Sequence, residues 1–221
     1  MLTYEKIIRY WNNVFKEDIN INSITKSTGN EDLDKALDWL CEDSNTILDF
    51  GCGNGLLLFK CFLRGTKNHI GIDISIEGIK VVKKIQEQLR EGHFHFIVGG
   101  VEELKKISSD FANGVVLSNI IDNLIPSDAI KALKEIKRIL KVNGKVLLKL
   151  NPFLTDNQIN EWNIKVIEDN LLDDGLFLWN QTTKKWEKLL SHYFKIVNYK
   201  EIYYPEYDQY NRLFLVCNDN K

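Results

Sequence analysis

The sequence has no excess of basic residues and no apolar run long enough to span a membrane. Its 221 residues carry 29 Lys and Arg against 31 Asp and Glu, which gives a formal net charge of -2. This composition lacks the basic footprint of an obligate nucleic-acid binder, although it leaves room for a local basic patch. Residues 1–6 do not have the pattern of a signal peptide. We therefore expect a cytoplasmic protein with no membrane segment, and we do not expect nucleic acid as its partner.

The sequence also lacks a metal-binding or disulfide pattern. Its four cysteines are spaced like neither kind of site, and they suit reduced thiols: Cys41, Cys52, Cys61 and Cys217. His93 and His95 alternate along a predicted strand, but no third ligand accompanies them, so no metal is predicted. No internal repeat, low-complexity tract or linker is present. The length suits a single α/β domain spanning residues 1–221.

The most informative stretch is residues 46–55, with the sequence TILDFGCGNG. A short apolar run is followed by three glycines at alternate positions, and an apolar helical face then begins at Leu56. Strand, glycine turn and helix predict a nucleotide-binding unit in which bare backbone allows close approach of a ligand. The third glycine comes one residue too early for a dinucleotide motif, and Asp49 would repel a pyrophosphate. A ligand with an ammonium and a sulfonium group, such as S-adenosylmethionine, suits this carboxylate. The alternative interpretation of the stretch is a glycine-rich turn that binds no ligand.

The D-x-G-x-G-x-G run resembles the first motif of the class I S-adenosylmethionine-dependent methyltransferases. The resemblance extends from about residue 46 to the C-terminus and implies that the last strand is antiparallel. Alternating strand and helix patterns predict a doubly wound, Rossmann-like α/β fold with a mostly parallel sheet. Residues 1–45 carry two amphipathic helical patterns, which predict an extension that either covers the sheet edge or forms a lid. A helical insertion is predicted near residues 155–172 of the 46–221 core.

Further candidate cofactor residues lie at predicted strand ends. Asp73 falls about twenty residues after the glycine turn, where a carboxylate can accept hydrogen bonds from both ribose hydroxyls; a helix cap is its alternative role. Residues 99–102 resemble the third-strand motif of the family, which binds adenine through an acid and the next backbone N–H. Gly100 replaces that acid, and Glu102 is a candidate substitute. The full predicted cofactor set is Asp49, Phe50, Gly51, Cys52, Gly53, Asp73, Ile74, Gly100, Val101, Glu102 and Asn119.

The predicted function is methyl transfer from S-adenosylmethionine to an unidentified small-molecule acceptor. A sulfonium methyl is already activated, so catalysis consists mostly of alignment and exclusion of water, and no catalytic residue is assigned. Aromatic side chains outside the core motifs are the candidate acceptor contacts: Trp11, Tyr204 and Tyr210. The alternatives are RNA or protein methylation and a non-catalytic cofactor-binding protein. The sequence leaves the oligomeric state open.

Overall fold

The computed structural model describes residues 4–16, 24–89 and 91–219. The strands of its main sheet are β1 (Thr46–Phe50), β2 (Asn68–Asp73), β3 (His93–Val98), β4 (Ala112–Ser118), β5 (Leu140–Leu150), β9 (Lys195–Tyr204) and β10 (Gln209–Cys217). They lie in the order β3-β2-β1-β4-β5-β10-β9. The first five strands pair in parallel, whereas β10 is antiparallel to both of its neighbours. The predicted doubly wound α/β sheet with an antiparallel last strand is confirmed.

Helices cover both faces of this sheet. They are α1 (Glu5–Val14), α2 (Glu31–Cys41), α3 (Leu56–Phe62), α4 (Ile76–Gln86), α5 (Val101–Leu104), α6 (Pro126–Ile139), α7 (Asp156–Glu161) and α8 (Thr183–Leu190), with a short 3-10 turn at Ile121–Asn123. One apolar layer packs α2, α3 and α4 against the sheet, and the other contains α6 and α8. Within the described ranges, no helix has the length and apolar character needed to cross a membrane.

The central strand β1 is buried on both faces, as expected for a strand inside a parallel sheet. All five of its residues are buried. Ile47 packs in the layer of α2, α3 and α4, while Leu48 and Phe50 pack in the opposite layer. Because side chains alternate along a strand, Asp49 points to the same side as Ile47. This places a carboxylate inside the molecule immediately before the glycine turn.

The insertion between β5 and α8 differs from the prediction of a helix near 155–172. Only the short α7 is helical there, and β6 (Lys165–Glu168), β7 (Leu171–Asp173) and β8 (Phe177–Trp179) form a three-stranded antiparallel sheet. Asn163 and Asp169 have φ values of 50° and 43°, a left-handed conformation that does not continue a helix. The helix prediction was wrong because α7 buries none of its residues, whereas β7 and β8 contribute apolar side chains to the core.

The two helices of the N-terminal extension occupy different places. Leu37 and Leu40 of α2 are fully buried, so this helix is part of the core. In contrast, α1 crosses the carboxyl ends of the parallel strands and reaches the start of α4. There, Asn12 Oδ1 accepts a hydrogen bond from Ser75 Oγ at 2.9 Å. Of the two extension helices, α1 therefore has the position required of a lid.

Candidate active site

The glycine turn after β1 has a conformation that only glycine adopts readily. The φ values of Gly51, Gly53 and Gly55 are 79°, 53° and 75°. A Cβ on Gly51 would lie 2.8 Å from Ile120, and one on Gly55 would lie 2.4 Å from Val82. Close approach of a ligand is the predicted reason for these glycines. The structure shows that backbone conformation and packing within the protein require them as well.

A cavity of about 410 Å³ lies between α1 and the carboxyl ends of β1, β2, β3 and β4. The residues predicted for cofactor or acceptor binding that line it are Trp11, Phe50, Gly51, Gly53, Asp73, Ile74, Gly100, Val101, Glu102 and Asn119. Asp49 and Cys52 do not line it. Cys52 is buried among the α2, α3 and α4 layer, and its Sγ would lie 2.8 Å from a Cβ on Gly71. The turn therefore presents its backbone to the cavity while these two side chains point away.

Asp73 connects the glycine turn to the start of α4. Its Oδ2 accepts a hydrogen bond from the Gly53 N–H and its Oδ1 from the Ser75 N–H, both at 2.7 Å. Burial raises the pKa of Asp73, and these two hydrogen bonds oppose the increase. An ionised carboxylate offers about four acceptor positions, so roughly two remain at the cavity for a ligand. Asp73 thus supports the turn, a role that the sequence analysis did not assign to it.

Asp49 is a buried carboxylate with an unsatisfied oxygen. It is 1% exposed, and its Oδ1 has no hydrogen-bond partner within the described part of the chain. Burial, followed by the nearby charge of Asp73, raises the pKa of Asp49 well above its ordinary value. An unpaired buried charge is costly, and a bound cation on the other side of the turn would reduce that cost. The residues present therefore fit a cofactor that carries positive charge.

The candidate adenine-binding loop is arranged around Glu102. The Gly100 N–H donates a hydrogen bond to Glu102 Oε1 at 3.0 Å. The other carboxylate oxygen of Glu102 lies 3.0 Å from the place that a Cβ on Gly100 would take. Glu102 thus puts its carboxylate beside position 100, where the family motif has an acid.

Asn119 follows β4 in a left-handed conformation, with a φ of 53°. Its N–H donates to the carbonyl of Lys149 at 2.8 Å, and its Oδ1 accepts a hydrogen bond from Asn211 Nδ2 at 3.4 Å. Non-glycine residues with this backbone conformation are uncommon, and strain of this kind is concentrated at functional sites. Asn119 lines the cavity described above.

The structure does not bring the three predicted acceptor residues together. Trp11 lines the cavity described above and stacks on Phe15, with ring centroids 5.5 Å apart. Tyr210 lines a second cavity, and Tyr204 lines neither of the two. The Tyr204 ring instead packs against Lys149, whose Nζ lies 5.0 Å from the ring centroid.

The second cavity has a volume of about 800 Å³ and adjoins the first. It lies among the end of β5, the β6–β8 sheet and the turn between β9 and β10, and Asn123 lines both cavities. At the boundary, the rings of Tyr4 and Phe177 meet edge to face at 5.8 Å. This cavity was not predicted, because the sequence pattern indicated a helix where the small sheet forms. The one local signal was the polar Asn151 directly after a buried strand.

A family model described as a methyltransferase domain matches residues 42–203. The chain belongs to this methyltransferase family. The match agrees with the methyltransferase domain predicted from the resemblance of Asp49 and the glycine turn to the first motif of this class. The match begins after α2, so α1 lies outside it although α1 lines the cofactor cavity.

Individual relatives of this methyltransferase differ in their acceptors. A tRNA U34 carboxymethyltransferase of Campylobacter hominis is 32% identical over 106 residues, which are 46% of this chain and 34% of the relative. A ribosomal protein L11 methyltransferase of Pseudomonas fluorescens is 24% identical over 117 residues, 51% of this chain and 37% of the relative. The chain thus matches little more than a third of the length of these curated relatives.

The fold also resembles solved structures over its whole length. One is a 1,6-didemethyltoxoflavin-N1-methyltransferase of Burkholderia thailandensis, which was solved with 1,6-didemethyltoxoflavin and S-adenosylhomocysteine. The similarity covers 100% of this chain and 92% of that chain, with a TM-score of 0.67 and 13% identity. At this identity the similarity establishes the fold and leaves the acceptor undetermined.

Proposed function

We propose that this methyltransferase modifies a small organic acceptor that binds in the second cavity. The observation that carries the proposal is the junction at Asn123, where a cavity of about 800 Å³ meets the cofactor cavity. Methyl transfer requires the two reacting atoms to lie about 3 Å apart and in line. Two adjoining cavities allow the acceptor and the cofactor to meet in this way. Volumes of this size are typical of small-molecule sites.

In this proposal, the cofactor lies in the first cavity, and its parts are matched by individual residues. Asp73 uses its two remaining acceptor positions for the ribose hydroxyls, and the backbone N–H of Val101 with the Glu102 carboxylate binds the adenine edge. The buried carboxylate of Asp49 lies on the far side of the glycine turn from the ligand and attracts its positive charge. Phe50, Gly51, Gly53, Ile74 and Asn119 form the remaining walls. When bound, S-adenosylmethionine supplies a methyl group that its sulfonium already activates.

The proposed contribution of the protein is alignment and the exclusion of water. Helix α1 closes the first cavity with Ile7, which is buried, and with the stacked rings of Trp11 and Phe15. It is held at both ends, since Asn12 bonds to the start of α4 and the Tyr4 hydroxyl donates to Asp128 at 3.0 Å. This is the lid interpretation of the extension.

RNA is a second candidate acceptor, because the Campylobacter hominis relative acts on tRNA by its name. The expected absence of a nucleic-acid partner is unsupported, because the relatives include both a tRNA and a ribosomal protein enzyme. The solved Burkholderia thailandensis relative, in contrast, holds a small organic molecule. The names of the relatives describe other proteins, whereas the second cavity belongs to this chain. That cavity favours a small-molecule acceptor over RNA.

The location of a transferred label separates these candidates. Purified protein is incubated with methyl-labelled S-adenosylmethionine and with three fractions of a cell extract: small molecules, RNA and protein. We expect the label in the small-molecule fraction. The Asp73→Ala variant serves as the control, since it removes a proposed cofactor contact and should reduce the transfer. Labelling of the RNA or protein fraction alone would refute a small-molecule acceptor.

A further inference from the structure

The inner end of the second cavity carries a set of fixed hydrogen-bond donors, formed by Asn123 and Arg212. We infer that this donor set binds an oxygen of the acceptor, either a carboxylate or a phenol oxygen, next to the cofactor cavity. The inference rests on the proposed function and specifies the chemical class of its substrate.

The direction of the Asn123 amide follows from a buried carboxylate. Asp122 is fully buried, and its Oδ2 accepts hydrogen bonds from Asn151 N at 2.7 Å and Asn151 Nδ2 at 3.1 Å. An ionised carboxylate only accepts, so the NH₂ end of Asn151 is identified. The same NH₂ donates to Asn123 Oδ1 at 2.7 Å. Asn123 therefore directs its own NH₂ group away from Asn151, at the junction of the two cavities, and this group has no hydrogen-bond partner among the described residues.

Arg212 supplies a second donor. It lines the second cavity at 2% exposure, its Nε donates to the Asn151 carbonyl at 2.9 Å, and its Nη1 donates to the Gln181 carbonyl at 2.6 Å. Its Nη2 is buried and has no hydrogen-bond partner within the described part of the chain. The charge of Asp122 attracts Arg212, but the hydrogen bonds of the guanidinium go to backbone carbonyls. A buried charged donor without a partner is costly, and a ligand oxygen would satisfy it.

Of the acidic residues that line this cavity, Glu201 lies opposite Arg212 in the β9–β10 pairing, and its charge acts on the guanidinium together with that of Asp122. Glu201 and Asp208 are exposed, and each already accepts a hydrogen bond from a tyrosine hydroxyl, Tyr199 at 3.1 Å and Tyr203 at 2.8 Å. Asp174 is exposed as well. The walls of this cavity also include the apolar side chains of Phe153, Leu172, Leu176 and Phe177. An occupant with an apolar body and an oxygen at its inner end matches this arrangement.

Two probes with the same apolar body and opposite head groups test the inference: 3-phenylpropanoate and 3-phenylpropylamine, with phenol as a third. Binding to the wild-type protein is measured by calorimetry and by the NMR signals of the asparagine side-chain amides. We expect the carboxylate to bind about tenfold more tightly than the amine, since a charge-assisted hydrogen bond contributes at least this much. The Asn123 amide signals should shift with the carboxylate or phenol and stay in place with the amine.

Asn123→Asp replaces the free NH₂ donor by an acceptor and keeps the oxygen that Asn151 binds. We expect this variant to lose about tenfold in carboxylate affinity. Gln158→Glu is the matched control, because it adds the same charge to the same cavity and a glutamate preserves the capping box of α7. It should leave the affinity nearly unchanged.

Three results would overturn the inference: tighter binding of the amine, equal losses in the two variants, or no binding of the carboxylate and phenol at millimolar concentration. These measurements need no methyl transfer. They can therefore succeed even where the label ends on RNA, which would refute the proposed function alone.

Discussion

Asp73 offers the sharpest test of the cofactor site, because one carboxylate has two separable tasks. Each of its oxygens holds one backbone N–H, those of Gly53 and Ser75, at 2.7 Å. In Asp73→Asn, the amide oxygen can accept only one of these hydrogen bonds, and the NH₂ group faces the other N–H. Losing a hydrogen bond to a charged acceptor costs about 1.5–3 kcal/mol. We expect the free energy of unfolding to fall by this amount, and by more in Asp73→Ala.

The proposed contact with the ribose predicts a separate loss of affinity. Removing hydrogen bonds from a carboxylate to two ligand hydroxyls should weaken binding of S-adenosylmethionine by about 2 kcal/mol, or roughly 30-fold. A looser glycine turn would also weaken binding, so affinity for the natural cofactor alone does not separate the two tasks. An analogue whose ribose lacks both hydroxyls separates them, because Asp73 cannot make the proposed contact with it.

The assay is titration calorimetry of wild type and both Asp73 variants with S-adenosylmethionine and with this analogue. We expect the substitutions to weaken the natural cofactor strongly and the analogue only slightly. Equal losses for both ligands would show that Asp73 acts through the glycine turn, and that the ribose is bound elsewhere. Urea unfolding of the same proteins gives the stability change independently.

Three further predictions concern charge, the lid and pH. Asp49→Asn removes a buried unpaired charge, so unfolding free energy should rise by about 1–3 kcal/mol while cofactor affinity falls; movement of both in the same direction would contradict this. Deleting residues 1–16 removes α1, and we expect cofactor binding to persist in part while methyl transfer is lost; undiminished transfer would refute the lid. Burial lowers the pKa of His69 to about 4 from 6.5, so its contribution to stability is complete above pH 6.5 and is lost as the pH falls towards 4, a change of about 3 kcal/mol. Urea unfolding across this range should show the loss in wild type relative to His69→Gln, and parallel curves would contradict it.

The parts of the fold that the sequence predicted are those specified by local patterns. The five apolar-rich residues of β1, the glycine turn and the helix from Leu56 follow each other without interruption, and each is identified by its own periodicity. Alternating strands and helices then restrict the topology, because crossover connections between parallel strands are right-handed. The order of the seven strands agrees with this reasoning.

The insertion shows where local patterns fail. Ile159, Trp162 and Val166 have helical spacing, but Trp162 and Val166 are 55% and 52% exposed in the structure. The residues that fix the segment are the core-facing Leu171 and Phe177, and their partners lie in distant elements. Burial in tertiary structure thus overrides a helical pattern that has no core to pack against.

The same contrast separates the two halves of the candidate site. Most of the cofactor side comes from segments close in sequence, since Gly53 and Asp73 are 20 residues apart and belong to one βαβ unit, β1–α3–β2. The acceptor side depends on pairs such as Asn123 with Asn151 and Asn151 with Arg212, which are 28 and 61 residues apart. No motif spacing encodes contacts of this kind, so the donor set could be found only in the folded chain.

The difference between the cofactor side and the acceptor side of the site affects how acceptor specificity can change between related proteins. The strand–turn–helix unit proposed to bind the cofactor depends on the backbone conformations of its glycines and on the two hydrogen bonds that Asp73 accepts from Gly53 and Ser75. Substitutions at these residues therefore disturb the fold itself. The elements around the second cavity are held by their own small sheet, by two hydrogen bonds between the Asn180 side chain and the backbone of Leu154, and by packing of Leu171 and Phe177 in the core. Substitutions in β6–β8 can therefore alter the cavity while the cofactor site stays intact. Identity to relatives over the core consequently predicts the cofactor well and the acceptor poorly.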